Sequence, residues 1–185
     1  TYPINAIYTN RDYESYAITR DEKIKNLCEQ LKVEFHTFKD QIVLEKHEIL
    51  KDDGNPYVVF TAFKNKFLSK LSEHEANISE SKYLREHHCD LRKVATGFTL
   101  INELPLLNAI GFHNSQHSFP KLIVDESIIR NYDKNRDYPA KQGTSKLGMH
   151  LRFGTISIRH LFKIAAQWNQ TYLSELIWRD FYSMI

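Results

Sequence analysis

The stretch Tyr172-Leu173-Ser174-Glu175-Leu176-Ile177-Trp178-Arg179-Asp180-Phe181-Tyr182-Ser183-Met184-Ile185 reads as a helix with two working faces. At 3.6 residues per turn, Leu173, Leu176, Ile177, Phe181 and Met184 fall on one side and make an apolar stripe of the kind that packs into a core. Glu175, Trp178, Arg179 and Tyr182 fall on a second face, which Tyr172 extends by one turn. Two readings fit that second face. One is a solvated surface carrying an i,i+4 Glu175–Arg179 pair, which contributes about 0.2–0.5 kcal/mol. The other is a recognition wall: the indole offers a stacking plane worth about 1–3 kcal/mol to a base, the carboxylate accepts a hydrogen bond from a base edge, and the guanidinium reaches a phosphate.

The helical pattern extends back from this stretch to about residue 121. Leu122 to Arg130 and Lys146 to Phe153 are predicted helices, with Gly154 as the C-terminal cap of the second. Thr155 and Ser157 are cap candidates for a further helix, whose stripe is Ile158, Leu161, Phe162, Ala165 and Ala166. Within this region Tyr132 and Arg136 lie four apart. Gly143-Thr144-Ser145-Lys146-Leu147-Gly148 follows, and it offers hydroxyls, free backbone N–H groups and an ammonium at a helix start. Such a set is either a plain helix cap or an anion site.

The first third of the chain has a different rhythm. Ile4, Ala6 and Tyr8 alternate as in a strand, and Thr19-Arg20-Asp21-Glu22 fits a capping box ahead of Ile24, Leu27, Cys28 and Leu31 at helical spacing. Val33 to Phe38 and Ile42 to Leu44 are predicted strand pieces. Strand, helix, strand is an α/β unit, which needs parallel neighbours, and too few strands are present for a self-sufficient sheet. Together with a start at Thr1 and an end at Ile185 inside an amphipathic pattern, this predicts an internal piece of a longer protein. Asp52 to Pro56 is a turn by composition, and Phe63, Phe67, Leu68 and Leu71 share a helical face. From 72 to 120 the sequence is polar and weakly periodic, as expected of a long connection.

Composition narrows the classes. With 185 residues, 42% hydrophobic and 26% charged, the chain is neither disordered nor fibrous. A net charge of +2 does not by itself mark a nucleic-acid binder. The two cysteines, Cys28 and Cys89, cannot build a disulfide framework and suit a reducing cytosol. No uncharged apolar run has the length of a membrane helix. His87-His88-Cys89 looks like a metal cluster, but adjacent histidines point apart and no fourth ligand is near in sequence, so no metal is expected.

Four segments, in order and spacing, resemble the DNA photolyase/cryptochrome family: Tyr132 to Pro139, Gly143 to Gly148, His150 to Arg159, and Glu175 to Tyr182. Upstream, Gly54 to Lys64 is similar to the family segment where its α/β domain gives way to a linker. The Glu175-Leu176-Ile177-Trp178-Arg179 form is most similar to bacterial class I enzymes that repair cyclobutane pyrimidine dimers. The resemblance implies an end-piece of a parallel-sheet α/β antenna domain over 1–71, an interdomain linker over 72–120, and the N-terminal part of an all-α FAD-binding domain over 121–185, mostly helical overall.

It also implies roles. Tyr132, Thr144, Ser145, Lys146, Leu147, Gly148 and Tyr172 match flavin contacts. Gly148 departs from the usual Ser, which removes a hydroxyl and keeps the N–H, and Tyr172 stands where a Trp is frequent. Arg136 matches a DNA-contacting arginine, and Glu175, Leu176, Ile177, Trp178, Arg179, Asp180, Phe181 and Tyr182 match a DNA-facing segment. Within it Glu175 and Trp178 take the catalytic roles, a carboxylate at the dimer and an indole packed on it. Asn10 falls near a position that contacts an antenna pigment, folate or deazaflavin in type. The implied activity is light-driven dimer repair in damaged DNA by electron transfer from reduced FAD, on a pyrimidine dimer flipped out of the duplex. The alternatives are a cryptochrome-type photoreceptor and a cofactor-free interaction domain. The chain by itself is expected to hold FAD weakly and to be inactive, because it supplies part of the pocket, and its cut edges favour self-association.

Overall fold

A computed structural model of the chain describes residues 4–74, 106–113 and 117–184. Thr1–Glu75 and Pro120–Ile185 form one compact unit, and Ala76–Phe119 forms a second. In the second unit the described residues make a 3₁₀ turn, Leu107–Ile110, closed by Gly111 in the left-handed region at φ 88°. The 72–120 connection expected from the sequence lies largely outside the described residues, as do His87, His88 and Cys89.

The first unit opens with two parallel strands, β1 (Ala6–Asn10) and β2 (Glu34–Phe38), in a register that sets Tyr8 opposite His36. Helix α1 (Ser15–Leu31) makes the crossover and ends at Lys32, whose left-handed φ of 58° turns the chain into β2. The expected capping box at Thr19 is not the helix start. Asp12 Oδ1 accepts the Glu14 N–H at 3.2 Å, the helix begins at Ser15, and the Thr19 hydroxyl donates to the Ser15 carbonyl one turn back. Of the predicted apolar stripe Cys28 is buried, whereas Leu27 and Leu31 are exposed. Tyr8, His36 and Phe38 stack on one face of the strand pair, with ring centroids 4.8 and 6.1 Å from Tyr8.

Ile42, Val43 and Leu44 are not a strand. They form a buried loop in which the Val43 and Leu44 N–H groups and the Ile42 carbonyl are paired with side chains from the far end of the chain. Beyond it come α2 (Phe60–His74), then α3 (Glu126–Arg130), α4 (Tyr132–Asn135), α5 (Gly148–Arg152), α6 (Ile158–Trp168) and α7 (Gln170–Tyr182). The predicted helix from Leu122 shortens to α3, because the Asp125 carboxylate caps it by accepting the Ile128 N–H at 3.1 Å and leaves Leu122 and Ile123 exposed.

The core gathers where α2 meets α6 and α7. Phe63 and Phe67 lie 5.1 Å from Phe181 and 5.6 Å from Phe162 respectively, centroid to centroid. Ile158, Leu161, Phe162 and Ala165 are buried as the α6 stripe predicts, but Ala166 faces solvent. Ser157 caps α6 and Gly154 takes the left-handed φ of 65° expected of a helix end. Among the described residues no helix is long and apolar enough to cross a membrane, and no group of three His, Cys, Asp or Glu side chains is placed to hold a metal ion.

Candidate functional site

Helix α7 is placed by its cap. Asn169 Oδ1 accepts the N–H groups of Thr171 and Tyr172 at 3.0 and 2.9 Å. Its Nδ2 donates to the Arg130 carbonyl and to Asp133 Oδ1, which ties the start of α7 to α3 and α4. The inner stripe, Leu173, Leu176, Ile177, Phe181 and Met184, is buried. Glu175 and Trp178 lie one turn apart on the same side and are both half-buried, and Tyr182 is exposed. The apolar stripe and the shared side of Glu175 and Trp178 are observed as read from the sequence, but Glu175 pairs with Arg136, Arg179 turns to the Gln41 carbonyl and Tyr172 is buried against Ser145.

That pair starts a connected line of side chains. The Arg136 guanidinium lies 5.6 Å over the Tyr132 ring, Tyr132 meets Tyr172 edge-on at 5.0 Å, and the Tyr172 and Ser145 hydroxyls share a hydrogen bond of 2.8 Å. Leu147 N–H lies 3.4 Å from Ser145 Oγ. Burial raises both phenols, Tyr132 and Tyr172, above the usual tyrosine range, and the Glu175 carboxylate adds to the effect at Tyr132. Five candidates from three segments, Tyr132, Arg136, Ser145, Tyr172 and Glu175, thus stand in one row.

The 143–148 loop is built for this approach. A Cβ on Gly143 would sit 2.4 Å from the Asn135 carbonyl oxygen, so only glycine lets the loop pass the end of α4. Lys146 takes a left-handed φ of 55°, which turns the chain into α5. Thr144, Lys146 and Gly148 are exposed, whereas the Leu147 side chain is buried in the core.

Trp178 belongs to a separate aromatic group. Its ring stacks on Phe60 at a centroid distance of 3.5 Å and 7° between planes, and on Tyr182 at 5.3 Å and 22°. The start of α2 therefore covers part of the indole surface expected to stack on a base.

Several expectations are corrected by burial. Leu176, Ile177, Asp180 and Phe181 are inside the protein, and a side chain with almost no exposed surface does not touch a duplex. Tyr172 is 5% exposed, so it offers its hydroxyl to Ser145 and no open ring face to a ligand. Arg179 donates to the Gln41 carbonyl, which makes it a brace for the 39–44 loop.

That brace was not legible in the sequence. Asp180 Oδ2 accepts the N–H groups of Val43 and Leu44, and Arg159 donates to the carbonyls of Lys39, Asp40 and Ile42 at 2.9–3.3 Å. Among the described residues, the buried Asp180 Oδ1 has no hydrogen-bond partner, and Arg179 Nη1 stands 3.7 Å from it. Partners more than 110 positions away leave no periodic signal; the one cue is an aspartate next to the apolar stripe of a buried helix.

A profile of the DNA photolyase family matches residues 1–81. The deoxyribodipyrimidine photo-lyase of Alkalihalophilus pseudofirmus is 29% identical over 98% of this chain, and that of Halobacterium salinarum is 26% identical over 95%. The chain spans 40% of the length of each of these relatives. The crystal structure of a bacterial class III photolyase from Agrobacterium tumefaciens superposes with a TM-score of 0.63 at 20% identity, over 97% of this chain and 40% of that one. An archaeal photolyase from Sulfolobus tokodaii, solved with two FAD molecules, superposes with a TM-score of 0.53 at 23% identity, over 97% of this chain and 38% of that one. At these identities the superpositions establish the fold.

Proposed function

We propose that the chain belongs to the photolyase/cryptochrome superfamily and is part of a light-driven DNA repair enzyme acting on cyclobutane pyrimidine dimers, a carbon–carbon lyase of the bacterial class I type. The observation that carries the reading is the half-buried Glu175 on the same side of α7 as Trp178, with Arg136 against it and Tyr132 behind. The class I assignment rests on the Glu175-to-Arg179 motif.

The donor set suits a flavin dinucleotide. Thr144 and Ser145 hydroxyls, the Lys146 ammonium and the backbone N–H groups of Leu147 and Gly148 are the groups a pyrophosphate accepts from. Among the described residues, none beyond its own chain neighbours and helix backbone comes within 4 Å of where a Gly148 Cβ would stand, so its missing hydroxyl is not enforced by crowding there. Tyr132 would lie against the cofactor, and Tyr172 would support Ser145 from behind. Reduced FAD supplies the photoexcited electron when it is bound. The protein's own part is geometric and electrostatic. Glu175 accepts a hydrogen bond from the flipped lesion, Trp178 and Tyr182 give an apolar wall beside it, and Arg136 meets the phosphate backbone. An antenna pigment, with Asn10 near its site, belongs to the proposal for the whole protein.

The test is a repair assay on the full-length protein loaded with reduced FAD, on a duplex holding one cyclobutane thymine dimer, in blue light and in darkness. Light-dependent loss of the dimer, cut at least about tenfold in Glu175→Ala, is the expected outcome, since one developing-charge contact is commonly worth that much or more. Bound flavin with no dimer loss in the light would replace repair with a signalling role.

A further inference from the structure

Arg136 and Glu175 are 39 positions apart in sequence and form a direct ion pair, with side chains 33% and 38% exposed. Both are therefore reachable from solvent while paired. In the proposed repair site each meets a different part of DNA: the guanidinium a phosphate, the carboxylate a base. Neither can serve its DNA partner fully while it serves the other. An arginine neutralised by a carboxylate adds little to the attraction of a polyanion, and the same arginine released adds one full phosphate contact.

We propose that the Arg136–Glu175 pair is a lesion-dependent switch on DNA affinity. The inference rests on the repair reading and extends it. On intact duplex no base reaches Glu175, so the carboxylate keeps Arg136 and the backbone contact is weak. A flipped, damaged base donates to the Glu175 carboxylate, and Arg136 is freed to a phosphate. Base recognition and backbone affinity then rise together, which discriminates damaged from intact DNA more sharply than either contact alone.

The surroundings favour an exchangeable pair. A partly exposed ion pair is a weak restraint, and a phosphate is a comparable partner for a guanidinium. The Tyr132 ring beneath Arg136 and Asp137, 3.4 Å from its Nε, keep the guanidinium close to the site when Glu175 lets go. Arg159 and Arg179 contrast with this. They hold main-chain carbonyls of the 39–42 segment, and releasing them would strand part-buried acceptors.

The experiment is a dark binding titration by fluorescence anisotropy across a range of salt. It uses the full-length protein and two duplexes of one sequence, intact or with a single cyclobutane thymine dimer. Glu175→Gln keeps the shape and removes the charge. It is expected to bind intact duplex about two- to fivefold more tightly, the range of an exposed ion pair. Its salt slope should steepen by about 0.9, and its preference for the damaged duplex should shrink. In an Arg136→Gln background the same change is expected to bring no gain. That control separates the switch from a general loss of negative charge, which would help binding in either background. Unchanged or weaker binding of Glu175→Gln to intact duplex overturns the inference, as does a gain that persists without Arg136. Wild-type protein that fails to prefer the damaged duplex overturns the repair reading itself; preference without the Glu175→Gln gain overturns the switch alone. Circular dichroism confirms that each variant is folded.

Discussion

Asp180 Oδ2 accepts the backbone N–H of Val43 at 2.7 Å, across 137 positions of sequence. The same oxygen lies 3.4 Å from the Leu44 N–H. The helix that carries Glu175 and Trp178 outward is thus tethered on its inner side to the loop leaving the α/β segment. Arg159 and Arg179 hold the carbonyls of Lys39, Asp40, Gln41 and Ile42 while Asp180 holds the amides of Val43 and Leu44, so a segment without secondary structure is held by side chains from distant helices.

Removing the Asp180 carboxylate leaves two buried amides without an acceptor. Asp180→Ala is expected to cost about 1–3 kcal/mol for the shorter bond alone, plus the packing lost with the side chain. Asp180→Asn retains an acceptor oxygen and should cost clearly less. Urea denaturation of the three proteins measures both differences, and equal losses in the two variants would contradict the tether.

Burial pushes the Asp180 carboxyl up to about 7 from an ordinary value of 3.8, against the lowering effects of the Val43 amide and Arg179. In the unfolded chain it gives up its proton near 3.8, and in the folded chain near 7. Between those values the unfolded state holds fewer protons. The group's contribution is therefore complete below the lower value and is lost as pH rises through the upper one. The melting temperature of wild type minus that of Asp180→Asn should fall by several degrees between about pH 4 and pH 7. A difference that stays flat across that window would show that Asp180 titrates normally.

Gly143 passes the end of α4 too closely for any side chain. Gly143→Ala places a methyl 2.4 Å from the Asn135 carbonyl oxygen and 2.6 Å from its carbon, which are backbone atoms that cannot turn aside. The expected cost is about 1–3 kcal/mol, as for other overpacked sites. Gly148→Ser, five positions on in open space, should change stability by less than about 0.5 kcal/mol. Thermal melts of the two variants decide it, and similar losses would mean that the loop shifts freely.

Periodicity was a good guide wherever a helix buried one side. The stripes on α2, α6 and α7 were legible at Phe63 and Phe67, at Leu161 and Phe162, and at Leu173 and Ile177, because burial of every third or fourth residue is a local property. It misled at Ile42 to Leu44, where three apolar residues in a row suggest a strand. They are buried instead as a loop, in which distant side chains hold the Val43 and Leu44 amides and the Ile42 carbonyl. It also misplaced the start of α1, since a Thr with a Glu three residues on can lie inside a helix as readily as at its end.

The sequence by itself determined the strand–helix–strand opening, the helical remainder, and the presence of Glu175 and Trp178 on one side of their helix, since each follows from neighbours within a few residues. Only the tertiary structure decided the partner of each charged and aromatic side chain. Arg136 turns to Glu175, Asp180 to Val43, Arg179 to Gln41, and Trp178 to Phe60. The physical reason is that a carboxylate or guanidinium withdrawn wholly or partly from water must find its partner wherever the packed chain puts one, and pairings across 39 to 138 positions depend on how whole helices meet.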